Sequence, residues 1–328
     1  MWCLTRKRNE FGELFCHKAW WVVFGNHKEH LLHYFDTWAS VGRNEILKTI
    51  LSLVVNLDFI AYQFDIETAF LHGSMDAVVY VEQVKFYKEA EKESWVWCLN
   101  KSLYGTKQAP RMWEVKLTDV LISLNLIRLV LDESLFITKN FSLMLHIHVD
   151  DGSLIGKSEK IILKFLEDLN SKLKLQFQKQ PNQHFGYTLI WKKDKILINQ
   201  SDLIEKRFKN TDMLLCKPVQ KSCNGNFLQD IEEKSKFVKL TEYQQAVILS
   251  NRLSQNTRPD IMFTINQLSR FSTCPTFKHW TALEHLLIYL KGTSKFNLIY
   301  KKPQPSSVIS ELKAWEDADY ASAKEDLE

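Results

Sequence analysis

Residues 143–156 have the sequence Leu143-Met-Leu-His-Ile-His-Val-Asp150-Asp151-Gly-Ser-Leu-Ile-Gly156, in which two adjacent aspartates separate two apolar runs. Apolar runs of this length are typical of β-strands, and the Asp-Asp-Gly between them predicts the turn of a hairpin. Such a hairpin would hold two carboxylates at one end of a buried element, and carboxylate oxygens are the ligands that Mg²⁺ and Mn²⁺ prefer. The stretch therefore predicts either a metal site or an ordinary turn, because turns favour the same residues.

A third carboxylate comes from an earlier part of the chain. The apolar and aromatic run Ile60-Ala-Tyr-Gln-Phe predicts a strand that ends at Asp65. Together with Asp150 and Asp151, this residue would complete the smallest set of protein ligands for phosphoryl transfer by two metal ions. The alternative is a strand-end aspartate that caps a turn.

Helical patterns alternate with these strands. Apolar residues at helical spacing predict a helix over 44–57, and helical patterns return over 241–292, whereas 202–239 is polar and lysine-rich without clear periodicity. The other predicted elements are a helix opened by Pro110, a strand over 134–138, a helix over 161–173 and a hairpin over 185–199. This order indicates an α+β fold in which helices back one face of an antiparallel sheet.

Length and composition limit the class of protein. A chain of 328 residues is long enough for two or three domains, and its net charge of +4 suits a polyanionic partner. None of the six cysteines forms a Cys-x-x-Cys pair, which argues against a zinc site and favours free thiols. The polar start does not resemble a signal peptide, and no apolar run approaches the roughly 20 residues of a membrane span, so no membrane partner is expected.

Three ordered motifs carry a resemblance to a known family. They are Asp-Ile-Glu-Thr-Ala-Phe-Leu-His-Gly (65–73), Lys-Ser-Leu-Tyr-Gly-Thr-Lys-Gln-Ala-Pro-Arg-Met-Trp (101–113) and His-Val-Asp-Asp (148–151). In this order they resemble the reverse transcriptase of copia-type LTR retrotransposon Pol polyproteins. Thr-Arg-Pro-Asp-Ile (257–261) and the segment 279–293 resemble the family's stretch between polymerase and RNase H. The resemblance covers the chain from about Met1 to Asp319.

The resemblance implies a right-hand polymerase fold with fingers, palm and thumb, plus a helical connection. It predicts four regions: fingers and palm over 1–198 (N-terminally incomplete), thumb and connection over 199–300, a linker over 301–310, and the beginning of a truncated RNase H-like domain over 311–328. In the last region, Asp317 matches the first metal ligand of the family's RNase H domain.

The resemblance also assigns roles around the three carboxylates. Asp65, Asp150 and Asp151 are implied to be catalytic residues that bind Mg²⁺ or Mn²⁺. Lys18 is implied to hold the triphosphate of the incoming nucleotide. Phe70 would exclude a 2′-hydroxyl from under the sugar, and its alternative is a phenylalanine of the core.

The Leu-Tyr-Gly-Thr-Lys-Gln-Ala-Pro-Arg string supplies the remaining implied contacts. Tyr104 and Gly105 are implied to form the floor of the nucleotide and template pocket. Lys107 and Arg111 could bind nucleic-acid phosphates, and solvated surface charge is the alternative for both.

Three positions depart from the family pattern. Trp20 stands where the family has an arginine that clamps the triphosphate, and an indole cannot supply the forked, charged donors of arginine. His148 replaces a tyrosine, and Val247-Ile-Leu-Ser250 replaces a Val-Gly-Ser-Leu pattern. These departures indicate a fragment or a decayed copy of an element.

The predicted function is therefore an RNA-directed DNA polymerase that extends a primer on an RNA or DNA template with deoxynucleoside triphosphates. Its expected place is the cytoplasm or nucleus, in a virus-like particle if the element is intact, and the oligomeric state is not predicted. One rival is a catalytically decayed fragment that acts at most as a nucleic-acid-binding protein. A metal-dependent nuclease that uses the same acids is a weaker rival, because the sequence supplies no base to activate water.

Overall fold

A computed structural model describes residues 1–8, 13–25, 29, 31, 33–40, 42–85, 87–208, 216–223 and 240–302. The strands are β1 (Trp2–Arg8), β2 (Leu14–Trp21), β3 (Ile60–Ile66), β4 (Tyr80–Glu82), β5 (Val96–Cys98), β6 (Leu126–Arg128), β7 (Leu135–Thr138), β8 (Leu143–His148), β9 (Asp151–Gly156), β10 (Leu175–Lys179), β11 (Gln183–His184), β12 (Tyr187–Lys192), β13 (Lys195–Asn199) and β14 (Leu298–Lys301). The α-helices are α1 (Asn44–Leu57), α2 (Ala109–Ser123), α3 (Glu159–Lys172), α4 (Ser201–Phe208), α5 (Leu240–Asn256), α6 (Met262–Ser269) and α7 (Phe277–Gly292).

The largest sheet has six antiparallel strands in the order β10-β3-β9-β8-β7-β6. Smaller antiparallel sheets are formed by β1 with β2, by β4 with β5, and by β11 to β14 in sequence order. The α+β class and the antiparallel pairing are therefore confirmed. The predicted helix over 44–57 coincides with α1, and the predicted hairpin over 185–199 is confirmed as β12 and β13.

One face of the six-stranded sheet is apolar and packs against α2 and α3. Side chains alternate between the two faces of a strand, so Phe64 and Leu154 lie on this face while Gln63 and Asp65 lie on the other. Leu117 of α2 joins the same buried cluster as Phe64 and Leu154. Fully burying a side chain of this size stabilises the fold by about 1.5–3 kcal/mol, so this layer anchors the strands that carry the carboxylates.

The opposite face of the sheet is covered at the end far from the aspartates. Ala61 of β3 and Ile155 of β9 share a buried cluster with Leu51 of α1 and Leu189 of β12. The prediction of helices on one face only is therefore wrong. The reason is that α1 is amphipathic and buries its apolar stripe between the two sheets.

Helices α4 to α7 form a third buried cluster, which includes Ile204, Tyr243, Ile265 and Leu287. The polar composition of 202–239 did not predict α4. This helix begins where Asn199 accepts hydrogen bonds from the backbone N–H (3.1 Å) and hydroxyl (2.9 Å) of Ser201. After α7 the chain returns as β14 and pairs with β13, so residues 298–301 complete the four-stranded sheet.

Several predictions fall outside the described residues. They are the linker from residue 303 onward, the RNase H-like start over 311–328 with Asp317, and most of the polar stretch over 209–239. Within the described part of the chain, no helix is both long and apolar enough to span a bilayer. All six cysteines are described and are free thiols, as predicted.

Candidate active site

The turn between β8 and β9 consists of Val149 and Asp150, whereas Asp151 and Gly152 are the first two residues of β9. The observed turn therefore begins one residue before the predicted Asp-Asp-Gly turn, and the glycine lies within β9. Val149 has a φ of 62°, which is rare for a β-branched residue, and Trp113 Nε1 donates a hydrogen bond of 2.7 Å to its carbonyl. The contact from α2 holds this strained turn in place, and such strain often accompanies function.

Strand pairing brings the three predicted carboxylates together. Asp65 lies directly opposite Asp151 in the β3–β9 register, and the backbone N–H of Ile66 donates to the carbonyl of Asp150 at 3.0 Å. Asp65 and Asp150 line one cavity, which they share with Lys18 and Tyr104. Residues 85 positions apart in sequence thus meet at one end of the sheet.

Asp151 has a different environment from the other two aspartates. Gln63 Nε2 donates a hydrogen bond of 3.3 Å to Asp151 Oδ1. Burial raises the pKa of Asp151, and the charges of Asp150 and Asp65 raise it further, while Gln63 and His148 act in the opposite direction. The hydrogen bond from Gln63 therefore compensates only part of the cost of burying the negative charge of Asp151.

The surrounding field is negative as well. Burial raises the pKa of Tyr104, and the negative charges of Asp150 and Asp65 raise it further. A cation in the cavity would relieve the mutual repulsion of these carboxylates.

The donor chemistry fits Mg²⁺ or Mn²⁺. Within the residues that the structure describes, no three His, Cys, Asp or Glu side chains are grouped so as to hold a metal ion by themselves. Mg²⁺ in enzymes of phosphoryl transfer is usually bound by one or two carboxylates together with substrate phosphates. Two carboxylates that line one cavity, those of Asp65 and Asp150, fit this pattern.

The β1–β2 hairpin contributes Lys18 and Trp20 to the same cavity. These residues lie opposite Thr5 and Cys3 in the hairpin register and therefore share one face. Lys18 Nζ lies 5.8 Å from the centroid of the Trp20 ring. The departure noted at Trp20 thus concerns a side chain that faces the carboxylates.

Phe70 lies in a short 3₁₀ helix, Ala69–His72, which follows Thr68 in a left-handed conformation. Its ring meets the ring of Tyr104 edge-on, with 5.2 Å between the centroids. Phe70 also packs against the buried cluster of α2 and α3. Phe70 therefore packs against the core and touches Tyr104, which lines the cavity, without lining the cavity itself. Its role beside the sugar stays a prediction.

Gly105 has a φ of +89°, and a Cβ there would lie 2.0 Å from the carbonyl oxygen of Val23. The backbone N–H of Val23 donates to the carbonyl of Tyr104 at 2.9 Å. Only glycine allows this close approach, which joins the end of the β1–β2 hairpin to Tyr104, a residue that lines the cavity. The predicted role of Tyr104 and Gly105 as the floor of a nucleotide and template pocket stays a prediction.

Lys107 and Arg111 do not line the cavity of Asp65 and Asp150. Lys107 Nζ donates a hydrogen bond of 3.3 Å to the hydroxyl of Tyr34. Arg111 forms ion pairs with Asp36 at 3.6 Å and with Glu114 at 3.4 Å. These contacts fit a role in holding residues 33–40 against α2, and a role in binding phosphate stays a prediction.

Sequence reasoning missed Gln63 and the partner of His148. Gln63 stands two residues before Asp65, and the period of two along a strand could have placed both on one face. His148 Nδ1 lies 3.1 Å from the carbonyl oxygen of Gly42, and its ring contacts Phe185 at 5.2 Å. No local pattern could have indicated these two long-range contacts.

Comparison with known proteins agrees with the motifs. Residues 1–223 match the reverse transcriptase (RNA-dependent DNA polymerase) family. The chain is 30% identical over 332 residues to the retrovirus-related Pol polyprotein from transposon TNT 1-94 of Nicotiana tabacum, with 98% of this chain and 24% of that protein covered. It is 29% identical over 327 residues to the retrovirus-related Pol polyprotein from transposon RE1 of Arabidopsis thaliana, with 99% and 22% covered.

A putative transposon Ty5-1 protein of Saccharomyces cerevisiae is 26% identical over 242 residues, which are 72% of this chain and 78% of that protein. The chain spans about a quarter of the length of the two plant polyproteins. The predicted resemblance to the reverse transcriptases of copia-type retrotransposons is confirmed. Because the family match extends over residues 1–223 of 328, the chain belongs to the reverse transcriptase (RNA-dependent DNA polymerase) family.

Proposed function

We propose that the chain is an RNA-directed DNA polymerase that extends a primer on an RNA or DNA template with deoxynucleoside triphosphates. The observation that carries the proposal is the cavity in which Asp65 and Asp150 meet Lys18 and Tyr104. A basic residue and an aromatic ring opposite paired carboxylates suit a triphosphate with its sugar and base. Family membership supports the same activity.

The proposed fold is a right hand. In it the six-stranded sheet with α2 and α3 is the palm, and the β1–β2 hairpin belongs to the fingers. Helices α5 to α7 belong to the thumb and connection. The proposed domain boundaries are 1–198 for fingers and palm, 199–300 for thumb and connection, 301–310 for a linker, and 311–328 for an RNase H-like start.

The chain's own residues would position the reactants. Asp65 and Asp150 would hold Mg²⁺ or Mn²⁺, with Asp151 beside them, and the metal would neutralise negative charge on the attacking and leaving oxygens. Lys18 would bind the triphosphate by a charge-assisted contact. The rings of Phe70 and Tyr104 would support the sugar and restrict the space for a 2′-hydroxyl.

Primer extension on an RNA template tests the proposal. Asp150→Asn should lower the rate of extension by several orders of magnitude, because the substitution keeps the shape but removes a ligand charge. Asp168→Asn is the matched control, since Asp168 is an exposed residue of α3. Extension by Asp150→Asn at the unsubstituted rate, with both variants folded by circular dichroism, would reject the assignment.

A second candidate is a decayed chain that binds nucleic acid without polymerising. Trp20 favours it, because the indole lies in the cavity and cannot bind a triphosphate as a guanidinium does. A charge-assisted hydrogen bond contributes about 1.5–3 kcal/mol, and about 1.4 kcal/mol corresponds to a ten-fold change. We therefore expect Trp20→Arg to lower the nucleotide KM about ten-fold or more.

The matched control for Trp20→Arg is Trp2→Arg, on the other face of the hairpin, where Trp2 pairs with Trp21. Trp20→Arg should lower the KM of every nucleotide by the same factor, because all nucleotides share the triphosphate. A lower melting temperature of Trp20→Arg without a gain in KM would show that Trp20 is a packing residue instead.

A further inference from the structure

Trp113 lies where α2 meets both segments that carry the candidate metal ligands. Its side chain is 2% exposed and belongs to the buried cluster that joins α2 and α3 to the six-stranded sheet. An indole has a single hydrogen-bond donor. In Trp113 that donor is directed at the carbonyl of Val149, the residue before Asp150. The contact therefore links the core side of α2 to the backbone of the turn.

Two hydrogen bonds from different elements fix the backbone on either side of Asp150. Trp113 Nε1 donates to the carbonyl of Val149 at 2.7 Å and so orients the peptide group before Asp150. The backbone N–H of Ile66 donates to the carbonyl of Asp150 at 3.0 Å and so orients the peptide group after it. Each peptide group is planar, so holding both planes fixes φ and ψ of Asp150 and the direction of its Cα–Cβ bond.

The turn depends on such support because its own backbone is unfavourable. Val149 is β-branched and has a φ of 62°, a conformation that persists only where the surroundings enforce it. The β8–β9 ladder ends at the pair of His148 and Asp151, so the two turn residues lie outside it. Without the indole donor, the peptide group before Asp150 would be free to rotate toward a less strained conformation.

The same tryptophan borders the segment that follows Asp65. The ring of His72 lies tilted beside the indole, with 5.9 Å between the centroids. His72 Nε2 lies 3.1 Å from the carbonyl oxygen of Glu67. A Cβ added to Gly73 would lie 2.8 Å from the carbonyl carbon of Met112, so the end of this segment packs directly on the backbone of α2. One turn of α2 therefore contacts the surroundings of both carboxylates.

We propose that Trp113 is a positioning residue for the metal site, which holds Asp150 in the orientation that binds Mg²⁺ or Mn²⁺ beside Asp65. The inference rests on the proposed function, because it takes Asp65 and Asp150 as metal ligands. Mg²⁺ requires near-ideal octahedral geometry with ligands at about 2.0–2.1 Å. A rotated Asp150 carboxylate would therefore bind the ion more weakly although its charge is unchanged.

Binding of Mn²⁺ to the full chain, measured by electron paramagnetic resonance, tests the proposal without requiring polymerase activity. Trp113→Phe removes the donor and keeps an aromatic ring. Benzothienylalanine at position 113 replaces the N–H with sulfur and keeps the bicyclic shape. Both changes should raise the Mn²⁺ dissociation constant about three- to ten-fold, the effect of one net hydrogen bond. Trp191→Phe is the matched control, because Trp191 Nε1 donates to the carbonyl of Pro181 at 2.9 Å and Trp191 does not line the cavity.

Primer extension gives a second readout that a merely structural role would not move. The Mn²⁺ concentration for half-maximal rate should rise in Trp113→Phe by the same factor as the dissociation constant. Saturating Mn²⁺ should restore most of the extension rate, because the charges of Asp65 and Asp150 are retained. The affinity for primer–template should not change, since the substitution acts on the turn alone.

Asp150→Asn separates failure of this inference from failure of the proposed function. If Asp150→Asn weakens Mn²⁺ binding and both changes at position 113 leave it unaltered, Trp113 is a packing residue and the inference alone is overturned. If Asp150→Asn binds Mn²⁺ as the unsubstituted chain does, the metal assignment and the inference both fail. Weakened Mn²⁺ binding in a chain that does not extend primers would support the positioning role and reject the polymerase. If Trp113→Phe does not fold, the benzothienylalanine chain decides.

Discussion

Asp151 and Asp260 are both partly buried carboxylates, and their surroundings shift the pKa of each in opposite directions. Burial raises the pKa of Asp151, and its one hydrogen bond from a neutral amide does not outweigh that effect. Burial also acts to raise the pKa of Asp260, but hydrogen bonds from Arg258 and Tyr289 outweigh it and lower the pKa. The first carboxylate keeps an unbalanced charge, whereas the second is neutralised within the fold.

The contacts around Asp260 show what complete compensation looks like. Arg258 is 2% exposed and donates to both carboxylate oxygens, at 2.9 and 2.8 Å. It also donates to the carbonyl of Thr293 at 3.1 Å, while the Tyr289 hydroxyl donates to Asp260 at 2.8 Å. The Thr-Arg-Pro-Asp-Ile motif therefore joins the end of α5 to α7. Asp151 has no such ionic partner, and we expect a cation bound beside it to supply the missing compensation.

The largest expected effect of this difference is on activity. Asp65→Asn should reduce primer extension by several orders of magnitude without loss of stability, because Asp65 is one of the two carboxylates proposed to hold the metal ion. Asp260→Asn should keep most of the activity at 20 °C, well below its melting temperature. Steady-state extension rates and thermal melts of both variants are the measurements, and comparable losses of activity would erase the distinction between the two regions.

For stability we expect the opposite order, with a larger effect of substitution at Asp260 than at Asp65. Asp260→Ala should lower the free energy of unfolding by about 2–4 kcal/mol, somewhat less than for a fully buried pair because Asp260 is about a third exposed. The loss arises because Arg258 stays buried without its carboxylate. Urea unfolding of this variant, of Arg258→Met and of the double variant forms a cycle. Strictly additive losses would show that the pair is not coupled.

Buried histidines beside the active-site strands should make the stability pH-dependent. Burial lowers the pKa of His146 from 6.5 to about 4 and that of His184 to about 3. Between these values and 6.5 the unfolded chain binds more protons, so stability is complete above about pH 6.5 and falls with pH below it. The slope should be about 1.4 kcal/mol per pH unit for each histidine that stays neutral.

Urea unfolding at pH 7 and pH 5 measures this loss. His146→Phe should reduce the difference between the two pH values, because it removes one titrating group at a position that already lacks hydrogen-bond partners within the described residues. His17→Gln is the control, since His17 is exposed on β2. If His146→Phe loses as much stability between pH 7 and pH 5 as the unsubstituted chain does, His146 is not a source of the pH dependence.

The smallest effect concerns Asp151 itself. Its pKa is raised in the folded chain, so folding disfavours the charged form above that pKa, and the cost disappears as pH falls below the unfolded pKa. Asp151→Asn should therefore stabilise the metal-free protein at pH 7 by about 0.5–1 kcal/mol, the size of one net hydrogen bond. The gain should shrink at acid pH, and a gain that does not vary with pH would argue against burial of charge as its cause.

Local patterns predicted much of the fold. The helical period predicted the bounds of α1, since propensity and burial agree along a continuous amphipathic stripe. The strand that ends near Asp65 followed from an apolar and aromatic run, and the hairpin of β12 and β13 followed from its turn residues. These elements are encoded within about 15 residues, so no distant contact is needed to recognise them.

The candidate site was predicted in its residues and not in its arrangement. Motif resemblance indicated Asp65, Asp150 and Asp151, but not that Asp65 and Asp150 share a cavity while Gln63 holds Asp151. The turn moved to Val149 and Asp150, where Trp113 from α2 holds a left-handed residue. Turn propensity favours Asp-Asp-Gly locally, and a tertiary hydrogen bond overrides it.

By itself, the sequence determined the family, the α+β class and the order of the main elements, because periodicity, turn residues and motifs are local properties. Only the tertiary structure decided which buried charges are balanced. Arg258 reaches Thr293 and Asp65 lies opposite Asp151 through contacts between residues far apart in the chain. The energy of a buried charge depends on everything that surrounds it in space, so it cannot be inferred from neighbours in sequence.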